Sequence, residues 1–122
     1  MVTAIFGSRT IDTKKVYEIL SEKMVKEDEY ITSGNIEGAA KMAINVAKEK
    51  GIKITLYNYE SGLGMYLALK DILVKNKKMI SSCDFAYVFW NGESKGTERE
   101  IKMLEKAWKP FELIMCDKKR KF

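Results

Sequence analysis

Three short stretches of this 122-residue chain concentrate the residue types that hold anions. They are Gly7-Ser8-Arg9, Ser33-Gly34-Asn35-Ile36-Glu37-Gly38 and Asn91-Gly92-Glu93-Ser94-Lys95-Gly96-Thr97. Glycine lets backbone approach a ligand closely and takes positive φ at little steric cost. Ser8, Ser33, Ser94 and Thr97 bring hydroxyls, and Arg9 and Lys95 bring positive charge. The second and third stretches run straight into segments of helical period, whose first N–H groups lack internal partners and attract anions. One such turn alone suits an ordinary strand-to-helix connection. Three at one edge of a sheet would make a phosphate cradle.

The chain has no histidine, which removes Ser-His-Asp and Cys-His catalysis and the usual histidine metal sites. No metal and no cofactor is expected. Neither G-x-G-x-x-G nor G-x-x-x-x-G-K-[ST] occurs, so ordinary dinucleotide and P-loop readings are disfavoured.

The elements that must position the turns follow from periodicity. Val2–Phe6 reads as a first strand, and Asp12 can cap a helix from about Thr13 to Lys26. A short strand at Tyr30–Thr32 precedes a helix whose small face is Ala39, Ala40, Ala43, Val46 and Ala47, closed by Gly51. Ile52–Tyr57 is the third strand. Ser61-Gly62-Leu63-Gly64 reads as a loop, with helical residues to about Ser82 in two pieces. Phe85–Trp90 is the fourth strand, Thr97–Trp108 the next helix, and Phe111–Met115 the last strand after the lone Pro110. Strands alternating with helices, and apolar enough to be covered on both faces, predict a doubly wound, Rossmann-like, three-layer α/β fold. Its mostly parallel sheet would have about five strands. Ligands in such sheets sit beyond the strands' carboxyl ends, the edge to which all three turns are delivered.

Composition fits one domain over residues 1–116 with a basic tail over 117–122. A formal charge of +5 leans toward anionic ligands. No apolar run is long enough to cross a bilayer, and Met1–Phe6 lacks the basic start of a signal peptide, so a cytoplasmic protein without membrane partners is expected. Cys83 and Cys116 lack metal-like spacing and read as free thiols. Helix faces bearing Met42, Met79 or Met103 are candidates for a homo-oligomer contact.

In sequence order, GSR, TSGNIEGAAKMA, KNKKMI and DFAYVFWNGESKGT resemble the SLOG superfamily. That group joins small YspA/YpsA-related nucleotide-binding proteins, LOG-type phosphoribohydrolases and Smf/DprA DNA-processing proteins. The resemblance spans about residues 3 to 115 and is nearest to the small YspA-related members. It implies a nucleotide site at the three turns. By similarity to the LOG pattern PGG-x-GT-x-x-E, Gly92 and Gly96-Thr97-Glu98-Arg99-Glu100 are kept, while Glu93 replaces the second glycine. Lys75 and Glu100 would take the places of the catalytic arginine and glutamate. Ala40 stands where the small members often carry aspartate.

Three functions compete. The first is a binding module, a sensor or sequestering protein for a nucleotide or nucleotide-derived phosphorylated ligand. In it Asn35 and Asn76 read polar edges of the ligand, and Trp90 or Tyr57 stacks on a base. For two of these the alternative is structural: Asn76 as a solvated helix residue and Trp90 as a core or strand-end residue. The second is an N-glycosidic hydrolase of nucleoside monophosphates, in which Glu100 steadies the positive charge on the sugar. The alternative for Glu100 is an exposed carboxylate favoured by the helix dipole. The third is nucleic-acid binding through the tail, which is not favoured because only Phe122 among its residues is aromatic. Glu93 beside the cradle points away from a simple monophosphate.

Overall fold

The computed structural model describes residues 1–34, 37–58 and 65–118. In order these form β1 (Val2–Gly7), α1 (Thr13–Lys23), β2 (Glu29–Ser33), α2 (Ala39–Lys50) and β3 (Ile54–Tyr57). Then come α3 (Met65–Ser82), β4 (Phe85–Trp90), α4 (Lys95–Lys106) and β5 (Phe111–Met115). The sheet has five strands in the order β3-β2-β1-β4-β5, and every pairing is parallel. This is the doubly wound fold expected from the alternation.

Two cores lie on the two faces of the sheet. On one, Ile5, Tyr30 and Phe89 pack with Val16 and Leu20 of α1 and with Ala39, Ala43, Val46 and Ala47 of α2. On the other, Ala4, Phe6, Ile31, Ala86 and Val88 pack with Met79 and Ile80 of α3 and Leu104 of α4. Neighbouring residues of one strand alternate between these cores, because side chains leave a strand with a period of two. Both central strands are therefore apolar nearly throughout.

Local chemistry sets the boundaries. Asp12 caps α1, its side chain accepting from the Lys15 N–H. The helix stops at Lys23, earlier than the expected Lys26. Met24 leaves helical geometry and is fully buried, and Lys50 from α2 donates to the Ser21 and Met24 carbonyls that the helix end leaves open. Gly51 closes α2 in the left-handed region at φ 66°. α3 is one helix of 18 residues rather than two pieces. The loop expected at Ser61–Gly64 lies outside the described residues.

α4 starts two residues before Thr97. Ser94 is its N-cap and accepts from the Thr97 N–H, as a short side-chain oxygen does best at that position. It ends at Lys106, and Trp108 follows at φ 56°, 92% exposed. The methionines expected on an oligomer surface turn inward: Met79 is buried, and Met42 and Met103 are half-buried against the two cores. Cys83 and Cys116 are free and buried on opposite faces of the sheet.

Candidate functional site

β1 leads through α1 toward β2 and β3 on one side, whereas α3 carries the chain to β4 and β5 on the other. The strand order therefore reverses between β1 and β4, and their carboxyl ends diverge into a crevice. A cavity of about 510 Å³ opens there. Among the described residues, Gly7, Arg9 and Thr10 line it from the first turn, and Asn91, Glu93, Ser94, Gly96 and Thr97 from the third. Ile72, Leu73 and Asn76 of α3, Arg99 and Glu100 of α4, and Lys118 complete the wall.

The two turns are tied together by a line of hydroxyls. The Asn91 N–H donates to Ser8 Oγ (3.3 Å), Ser8 Oγ and Thr97 Oγ1 share a hydrogen bond (3.0 Å), and Thr97 Oγ1 donates to Ser94 Oγ (3.2 Å). Each hydroxyl has one proton, so Ser8 must donate to Thr97, and the proton left over belongs to Ser94. Ser8 and Thr97 are thus internal staples, and Ser94 is the hydroxyl of this line that can donate into the cavity. Asn91 fixes the rest of the loop. Its Oδ1 accepts from the Glu93 and Ser94 N–H groups, and its Nδ2 donates to Thr10.

Glycine requirements separate packing from access. A Cβ at Gly7 would overlap the Ala39 side chain, and at Gly38, already at φ 78°, it would overlap the Ser8 carbonyl. These two glycines let α2 close on the end of β1. Gly96 has nothing nearer to an added Cβ than Ser94 Oγ at 3.9 Å. The fold does not need a glycine in that first helical turn, but a ligand approaching the backbone N–H groups would.

Behind the cavity lies a buried polar group. Glu100 is 7% exposed and Asn76 is 3% exposed, so neither is the solvated helix residue that was the alternative for it. Asn76 Nδ2 donates to Glu100 Oε2 at 3.4 Å, while Asn76 Oδ1 has no hydrogen-bond partner among the described residues. Burial pushes the Glu100 carboxyl up to about 8, against the pull of the Lys75 ammonium and the Arg99 guanidinium. At neutral pH this group is mostly the uncharged acid. Lys75 is buried beside it and donates to Ser33 Oγ at 3.0 Å. Burial lowers the Lys75 amine from its ordinary value, with Glu100 opposing and Arg9 assisting that shift.

Several expected residues stand elsewhere. Ser33 and Lys75 line a small void behind the cavity, together with Asn76 and Glu100, and Lys75 ties Ser33 of the second turn to this group. Gly34 packs under Asn58, and Asn35 lies outside the described residues. Lys95 is exposed and paired with Glu98 at 3.9 Å, away from the cavity lining, as is Gly92. Trp90 spends its indole N–H on the Ser94 carbonyl (3.1 Å), and Tyr57 packs on the α3/α4 core. Neither aromatic lines the cavity among the described residues.

Sequence reasoning passed over Thr10, Arg99, Lys118, Ile72 and Leu73 as lining residues. For Arg99 there was a signal. The chain has three arginines among 22 basic residues, and two of them, Arg9 and Arg99, line this one cavity. Neither forms an ion pair with a carboxylate among the described residues.

No protein-family model matches the sequence, nor does any curated protein. Solved structures do resemble it. The structure of Moco Carrier Protein from Chlamydomonas reinhardtii superposes with a TM-score of 0.67 at 18% identity, over 93% of this chain and 75% of that one. DNA processing protein A (DprA) from Streptococcus pneumoniae gives 0.56 at 13% identity, over 90% of this chain and 57% of its own. The chain shares the doubly wound, parallel α/β fold of these structures. At these identities the likeness extends to the fold, and the resemblance read from the motifs meets it there. No helix among the described residues is long and apolar enough to cross a membrane.

Proposed function

We propose that the protein binds a nucleotide or nucleotide-derived phosphorylated ligand in the switch-point cavity, as a sensor or sequestering module. The observation that carries this reading is that two of the chain's three arginines, Arg9 and Arg99, line this cavity and form no ion pair among the described residues. A guanidinium offers a planar, two-pronged donor that suits phosphate oxygens better than an ammonium does. The open backbone at Gly96 and the spare Ser94 hydroxyl add donors at the positive end of α4. Asn76 Oδ1 adds one buried acceptor for an N–H or O–H of the ligand. The volume suits a ligand of nucleotide size. The first fold neighbour is named as a carrier, which accords with binding rather than turnover.

Glu100 favours a second reading, hydrolysis of the N-glycosidic bond of a nucleoside monophosphate. In that reaction the C1′–N bond breaks with its electron pair going to the base, and water adds to C1′. A buried acid held protonated near neutrality is matched to delivering the proton the base takes up, and the attacking water then returns a proton to it. The role is that of a proton donor, not of the fixed anion expected from sequence. Nucleic-acid binding has only the second neighbour's name and the basic tail behind it, and residues 119–122 of that tail lie outside the described residues.

The test has two stages. Small molecules released from the purified protein are identified by mass spectrometry, and binding of nucleoside 5′-phosphates is measured by calorimetry for the native chain and for Arg9→Ala and Arg99→Ala. Binding weakened at least about tenfold by either change is expected, since a charge-assisted pair contributes roughly 1.5–3 kcal/mol. Full affinity in both variants would overturn the assignment. Incubation with monophosphates followed by chromatography for free base separates binder from hydrolase.

A further inference from the structure

The rim of the cavity carries an ion pair that the nucleotide reading alone does not use. Lys118, just beyond β5, pairs with the Glu93 carboxylate, and both residues line the cavity. The Glu93 backbone N–H donates to Asn91 Oδ1, which places this acid at the rim, and Lys118 is its ion-pair partner there.

Counting the charged groups of the wall gives the pair a purpose. Among the described residues of the wall, Arg9, Arg99 and Lys118 face one exposed carboxylate, Glu93, while Glu100 is buried and burial favours its uncharged form. The surplus is two positive charges. A phosphate monoester carries about −1.5 to −2 at neutral pH, which this surplus matches. A diphosphate carries roughly one charge more and would have to compete with Glu93 for Lys118.

We propose that the Glu93–Lys118 ion pair sets the phosphate count of the ligand, admitting a nucleoside monophosphate and turning away its diphosphate. The inference rests on the nucleotide reading above. Glu93 occupies Lys118 with an anion that belongs to the protein, and it repels any second phosphate reaching the rim. The two arginines are left for the first phosphate. The acid that the sequence suggested would disfavour a monophosphate is neutralised by its partner, and what it disfavours is the phosphate beyond.

Calorimetric titration with the 5′-monophosphates of adenosine, guanosine, cytidine and uridine identifies a binding base, and the matching diphosphate then gives the selectivity ratio. Glu93→Gln frees Lys118 and should shift the ratio toward the diphosphate by about fivefold, a modest effect because both partners are more than half exposed. Lys118→Gln should weaken both ligands, and the double variant should return to the native ratio. Thermal unfolding of each variant checks that these surface changes leave the fold intact. A monophosphate that binds the native chain, with a ratio unmoved by Glu93→Gln, overturns this inference and leaves the nucleotide reading standing. Native preference for the diphosphate also overturns it. Absence of binding by all four monophosphates and the corresponding diphosphates overturns both.

Discussion

Replacing Glu100 by Gln isolates the least ordinary electrostatic feature of the molecule. The carboxyl sits at about 8 in the folded chain against 4.5 for an ordinary glutamate. Its folded value is raised, so the associated stability is fully present below about pH 4.5 and is lost as pH rises toward and through 8. The folded state holds a proton that the unfolded chain has released, and each further pH unit in that window costs up to about 1.4 kcal/mol. Between pH 5 and pH 9 the native chain should lose roughly 3–4 kcal/mol from this group, an order-of-magnitude figure. Glutamine fills almost the same space, keeps a hydrogen-bonding partner for Asn76 and has nothing to ionise. Guanidinium unfolding of native and Glu100→Gln chains at pH 5, 7 and 9 therefore provides the assay, and the difference between the two cancels every other titrating group to first order. The variant should be close to native in stability at pH 5 and clearly more stable at pH 9. A difference that stays constant from pH 5 to 9 would refute the buried neutral acid, and with it the proton-donor role in the hydrolase reading. Repeating the series with Lys75→Met, which removes the ammonium that draws the carboxyl down, should make the native slope steeper.

Two glycine changes should behave oppositely. Gly38→Ala introduces a Cβ against the Ser8 carbonyl at positive φ and should cost at least about 2 kcal/mol by chemical denaturation. Gly96→Ala meets only an ordinary contact with Ser94 Oγ in a helix and should leave stability unchanged or raise it by up to about 1 kcal/mol, while nucleotide binding falls. Ser8→Ala and Thr97→Val should each lose about 1–2 kcal/mol, and the double variant less than the sum, because the two share one buried hydrogen bond.

The layered fold was legible because its evidence is local. Alternating apolar runs, the Asp12 cap and the glycine after α2 each act within a few residues. Phe85–Trp90 and Phe111–Met115 were therefore placed at their observed bounds. Ends set by distant partners were missed: α1 stops early where Lys50, from another helix, takes its last carbonyls. The sequence pattern begins α4 at Thr97 because Gly96 reads as loop, although Ser94 stands ready to cap a helix that starts two residues earlier.

At the site, residue types were legible but their assignments were not. Sequence put hydroxyls, glycines and positive charge at one edge of a parallel sheet, because the order of strands and helices leaves those turns nowhere else to go. It could not tell that Ser8 and Thr97 would spend their hydroxyls on each other, since they stand 89 residues apart. Nor could it tell that Lys118 returns to pair with Glu93, or that Arg9 and Arg99 share one wall. Burial is the deepest of these distinctions. Glu100 is an ordinary helix carboxylate in the sequence, and only the packing of α3 beside α4 takes it out of water and makes it a neutral acid. The sequence by itself determined which elements form and which edge of the sheet is polar, because propensity and periodicity act along the chain. Which polar groups face a ligand, and in which protonation state, was decided by the tertiary structure, because desolvation and pairing depend on neighbours that only folding supplies.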